Sequence, residues 1–86
     1  MQLEPETLGS VINRLKRAQG QLAGVLRMLE EGRDCADVVT QLAAVSRALD
    51  KAGFALIAAG LEQCILAGEE GELDRAKLER VFLSLA

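Results

Sequence analysis

Apolar positions in the first third of the chain recur with a helical period. Leu8, Leu15, Leu22 and Leu29 fall every seven residues, and Val11, Ile12, Ala18, Val25 and Leu26 join them in an a/d/e stripe over three heptads. This predicts an amphipathic helix of the bundle type. Its start is expected near Pro5, which loses no hydrogen bond in a first turn, with Glu6 beside it at the positive end of the helix dipole. Gly32 supplies the stop. Gly20 and Gly24 interrupt the stripe at about 1 kcal/mol each relative to alanine, a cost that predicts the close approach of a neighbouring helix.

Asp34 follows as an N-cap, with Asp37 three residues on, so a second helix is expected from Cys35. It runs without proline through Val38, Val39, Leu42, Val45, Leu49, Phe54, Leu56, Ile57, Leu61 and Ile65. Apolar on more than one face, it is expected to be central, packed against its own chain and a partner chain. Residues 67–72 read as a loop, and Asp74 as the cap of a short third helix burying Leu73, Leu78, Val81, Phe82 and Leu85. The expected fold is all-α: a single domain over residues 1–86, with two long helices and one short C-terminal helix.

Composition adds an expectation of oligomers. The chain has 86 residues, half of them hydrophobic, but no Trp or Tyr and only Phe54 and Phe82 as aromatics. An aliphatic core this small is marginal alone, and association is the usual remedy. No apolar run approaches the roughly 20 residues needed to span a bilayer, and Glu4 and Glu6 stand where a signal peptide carries bases. A cytoplasmic protein without a membrane partner is expected. With no histidine, a His-based acid–base site, a Ser-His-Asp triad and any His metal ligand are excluded. There is also no Cys-x-x-Cys, so a thiol oxidoreductase or sulfurtransferase is disfavoured; neither an enzyme nor a cofactor is expected.

Charge is unevenly placed although the net value is only −3. Residues 7–29 hold Arg14, Lys16, Arg17 and Arg27 and no acid, whereas residues 62–74 hold Glu62, Glu69, Glu70, Glu72 and Asp74 and no base. Arg14 and Arg17 share a helix face, which suits phosphate contact, and a symmetric oligomer would repeat the patch and add Arg47 and Lys51. The plainer alternative is a solvated outer face. Local potential, more than total charge, governs phosphate binding.

Cys35 and Cys64 lie 29 residues apart on one expected helix, roughly 40 Å if it is unbroken. They cannot bond within one chain. If two such helices pack antiparallel about a two-fold axis, Cys35 comes level with Cys64 of the partner subunit, creating two identical sites. The positive helix end and Arg33 make Cys35 the better nucleophile, with Cys64, beside Glu62, the resolving thiol. Two inert core thiols are the simpler alternative.

The run from Val11 through Arg14-Leu15-Lys16-Arg17-Ala18-Gln19-Gly20-Gln21 to Gly24, then Met28 to Cys35, then Val39-Thr40-Gln41-Leu42-Ala43-Ala44-Val45, closely resembles the copper-sensing operon repressor family of the CsoR/RcnR type. The resemblance covers nearly the whole chain. It implies antiparallel dimers assembled into a disc-shaped homotetramer that binds operator DNA without a helix-turn-helix. It also implies DNA contact by Arg14, Lys16, Arg17, Arg47 and Lys51. The copper sensors hold Cu(I) with Cys-His-Cys, whose positions correspond to Cys35, Gly60 and Cys64; the histidine is absent here, although two thiolates could still hold Cu(I) linearly. Nickel and cobalt sensors are histidine-rich, and the formaldehyde sensors use an N-terminal proline where this chain has Gln2. The resemblance is therefore greatest to the persulfide-sensing branch, which keeps two cysteines and lacks the histidine. That implies reactive sulfur species as inducer and an intersubunit di-, tri- or tetrasulfide between Cys35 and Cys64 of the partner subunit. A degenerate Cu(I) sensor, a general oxidant sensor and a purely structural helical oligomer are the competing readings.

Overall fold

A computed structural model describes residues 2–85 as three helices: α1 (Gly9–Glu30), α2 (Cys35–Ala67) and α3 (Glu72–Leu85). A 3₁₀ turn at Pro5–Leu8 leads into α1, and another at Gly68–Gly71 joins α2 to α3. Among the described residues there is no strand. The protomer measures 54 × 26 × 13 Å, a thin plate whose long axis is that of α2, since 33 residues at 1.5 Å each span about 50 Å.

The local signals act as expected. Gly32 takes φ +69°, and the Arg33 N–H donates to the Met28 carbonyl at 2.9 Å to close the end of α1. The Asp34 carboxylate accepts from the Ala36 and Asp37 N–H groups at 3.1 and 3.4 Å, so α2 begins at Cys35. Residues 67–72 are more ordered than a loop: Gly68, at φ +65°, turns the chain into one 3₁₀ turn, and α3 starts at Glu72. Asp74 therefore lies inside the first turn of α3 and does not precede it.

The side of α1 facing α2 is narrower than the expected stripe. Val11, Ala18 and Val25 are buried, while Leu15, Leu22 and Leu29 are exposed by 42%, 42% and 60%. On α2 the buried set Val38, Val45 and Ala52 has the same seven-residue step, and Val25, Val38 and Val45 form one cluster with Met28 at its edge. Short side chains let two backbones approach; the leucine row is left on an open face. A close approach at Gly20 and Gly24 is absent within the chain: a Cβ on Gly20 would meet nothing, and one on Gly24 only the Arg27 guanidinium at 3.7 Å. Neither glycine is a point of close contact between α1 and α2.

Helix α3 also departs from expectation, because it has no buried residue. It rests on α2 through a tilted Phe54–Phe82 pair with ring centroids 5.6 Å apart and through Leu85 over Gly53, while Leu73 stays 81% exposed. The tight contact is at the turn before it. Gly71 is buried, and a Cβ there would overlap the Cys64 carbonyl oxygen and lie 2.9 Å from the Cys64 Cα. The expectation that no stretch is long and apolar enough to cross a bilayer is corrected as well. An 18-residue window of mean hydropathy 1.3 within residues 35–85 meets that test by length and composition. Such a window is also what a helix shows when apolar faces meet several neighbours.

Candidate nucleic-acid interface and thiol pair

Arg14, Arg17 and Gln21 stand at i, i+3 and i+7 on α1, and Ala44, Arg47, Ala48 and Lys51 at i, i+3, i+4 and i+7 on α2. Each set lies along one face of its helix. The antiparallel hairpin turns the two faces toward one another, and together they line an open cleft of about 250 Å³. Ala44 and Ala48 form a low floor, above which three guanidinium groups and an ammonium converge. Among the described residues, none of these cations has an ion pair or a side-chain hydrogen bond. Four like charges without a counter-charge are costly to hold together, and a polyanion offsets that cost.

Four of the five expected DNA contacts thus meet in one place. Lys16 is exposed on α1 but outside the cleft. Gln21 was missed by charge-based reading because it is neutral; its signal was position, seven residues after Arg14 and four after Arg17.

The thiols are placed quite differently. Cys35 is exposed at the first residue of α2, and Cys64 is 3% exposed near the end of the same unbroken helix; neither is in a disulfide. Their separation within one chain is about 43 Å at 1.5 Å per residue, so any shared chemistry runs between chains. Both supports expected for a thiolate at Cys35 are already engaged. Arg33 pairs with Glu31 at 3.6 Å, and the first-turn N–H groups of Ala36 and Asp37 go to Asp34. Exposure is what distinguishes Cys35. Cys64 lines a cleft of about 360 Å³ with Gly68, Glu69, Gly71, Glu72 and Arg75.

Gly60 is buried on α2 and offers no donor side chain. Among the described residues no three His, Cys, Asp or Glu side chains are grouped to hold a metal. The described residues of one chain do not fit a three-coordinate metal site.

Residues 9–84 match the sequence profile of the metal-sensitive transcriptional repressors. The chain belongs to that family. Its sequence is 43% identical over 58 residues to the copper-sensing transcriptional repressor CsoR of Mycobacterium ulcerans, covering 67% of this chain and 50% of that protein. The chain spans about half the length of the mycobacterial relatives it matches. The fold is similar to that of the copper-sensing repressor CsoR with Cu(I) from Geobacillus thermodenitrificans, at TM-score 0.77 and 30% identity over 98% of this chain and 91% of the other. It is also similar to the nickel-responsive transcriptional regulator InrS, at TM-score 0.75 and 30% identity, with complete coverage of both chains. These relatives are repressors and regulators, which agrees with a protein that is not an enzyme. Membership of the metal-sensitive family agrees with the all-α architecture.

Proposed function

We propose that this single-domain protein is a cytoplasmic operator-binding repressor. In this reading it works as a disc-shaped tetramer of antiparallel dimers and senses reactive sulfur species through Cys35 and Cys64 of the partner subunit. The observation that carries DNA binding is the unpaired cluster of Arg14, Arg17, Arg47 and Lys51 around one cleft, with Lys16 outside it as an additional phosphate contact. The row of exposed leucines on α1, together with Val39, Leu42 and Leu49 on α2, supports association with further copies.

For the inducer, the donor set of two thiols without a histidine supports sulfur over copper. In the reduced state the Cys35 thiolate attacks the outer sulfur of a hydropersulfide RSSH, forming Cys35–SSH and releasing RS⁻. The Cys64 thiolate of the partner subunit then attacks the inner sulfur, closing a disulfide and releasing HS⁻; polysulfides give longer bridges. Since Cys64 is buried, this second step requires its cleft to open toward the partner. The bridge favours a tetramer whose basic clefts no longer match the duplex, and derepression follows.

Cu(I) is the second reading, favoured by the copper-sensing names of the relatives and opposed by Gly60. Intact mass under denaturing, non-reducing conditions, followed in parallel with operator binding, separates the two. A covalent dimer and loss of DNA binding with a persulfide donor, and no effect of Cu(I), support the sulfur sensor. Release by Cu(I) with the persulfide donor inert assigns the chain to copper. The Cys35→Ala variant is expected to keep DNA binding and lose induction.

A further inference from the structure

A second cleft, of about 320 Å³, adjoins the first and is lined by Gln21, Gly24, Arg27, Glu31, Arg33 and Gln41 around a floor of core residues. Gln21 lines both clefts, so the two form one continuous strip along the α1–α2 groove. We propose that this second cleft binds a backbone phosphate of the same DNA duplex, with Arg27 as its principal cation and Gln21 and Gln41 as neutral donors. The proposal rests on the operator-binding reading and extends its footprint toward Cys35.

Three observations carry it. Arg27 has neither an ion pair nor a side-chain hydrogen bond among the described residues. Its guanidinium lies back along α1, 3.7 Å from where a Cβ on Gly24 would stand, and the missing side chain leaves room for that pose. Spacing agrees as well. Arg17 and Arg27 are ten residues apart on one uninterrupted helix, about 15 Å. Phosphates of one strand advance about 3.4 Å each along the duplex axis, so the two clefts correspond to phosphates about four to five apart.

Among the described residues Glu31 is the only acid lining the second cleft, and it holds Arg33 at 3.6 Å. Arg33 is therefore a reserve cation, free to meet phosphate only when it leaves Glu31. It precedes Cys35 by two residues, in the segment between α1 and α2. A bridge that pulls Cys35 toward a partner shifts the end of the second cleft directly.

The test is fluorescence anisotropy of a labelled operator duplex, selected from genomic fragments by the reduced wild-type protein, with reduced full-length protein, over a range of salt. Arg27→Gln is expected to make the slope of log K against log salt shallower by about 0.9 for each protomer engaged. Gln41→Ala should weaken binding at every salt and leave the slope unchanged, because a neutral donor displaces no counterion. Glu31→Gln should tighten binding. Thermal unfolding of each variant confirms that these exposed substitutions leave the fold intact. An unchanged slope in Arg27→Gln, alongside a shallower one in Arg17→Gln, overturns the second cleft and leaves the repressor reading standing. If Arg17→Gln is also without effect, or the reduced wild type does not bind the duplex, both fall.

Discussion

Adding one methyl group should have opposite effects at two glycines of this chain. At Gly71 an ideal Cβ lies 2.9 Å from both the Cα and the carbonyl carbon of Cys64 and overlaps the carbonyl oxygen. Carbon atoms in contact settle at about 3.5–4.0 Å, so the turn must withdraw from α2 by roughly 0.6–1 Å. The obstacle is helical backbone and cannot rotate aside. Overpacking of this kind costs about 1–3 kcal/mol, and each kcal/mol moves Tm by about 4–8 °C in a domain of this size, so Gly71→Ala should lower Tm by roughly 5–20 °C. At Gly20 a Cβ meets nothing within 4 Å inside the protomer, so alanine there gains about 0.5–1 kcal/mol of helix stability and raises Tm by a few degrees. Thermal unfolding by circular dichroism, at one fixed protomer concentration because association shifts Tm, reads both variants. Withdrawal of the turn should also speed alkylation of Cys64. An unchanged or raised Tm in Gly71→Ala would refute the close contact, and with it the account of how Cys64 is covered.

Three further outcomes follow from burial and capping. Val45→Ala removes a side chain that is 2% exposed at the centre of the α1–α2 contact, and should cost about 2 kcal/mol, read as a Tm about 10 °C lower. Asp34→Ala leaves the Ala36 and Asp37 N–H groups without their carboxylate and should cost about 1 kcal/mol; retention of the wild-type Tm would deny the cap its role. Brief treatment of the reduced protein with limiting iodoacetamide should label exposed Cys35 before Cys64, which is 3% exposed; peptide mapping that finds equal labelling would contradict the burial of Cys64.

What could be read from residues alone was local chemistry and spacing. Gly32 ends α1 because its backbone takes a positive φ, and Asp34 begins α2 because its carboxylate reaches the first free N–H groups; both effects act within a few residues. The same holds for the cation rows: helical spacing alone aligns Arg14 with Arg17 and Arg47 with Lys51, and a hairpin brings them together. The resemblance to the repressor family added the expectation of a disc-shaped assembly.

Other features depend on distance between elements, which periodicity does not encode. Two apolar rows on α1 share one seven-residue period, and pattern could not say which meets α2. Packing admits Val11, Ala18 and Val25, whose small size suits closely spaced backbones, and leaves Leu15, Leu22 and Leu29 outside. Likewise the lean of α3 on Phe54 and Gly53, the contact of Gly71 with Cys64, and the pairing of Arg33 with Glu31 arise only when the chain is folded. Residue type sets what a side chain can do; its neighbours in space set whether that capacity is already spent, as at Arg33, or open to a ligand, as at Arg27.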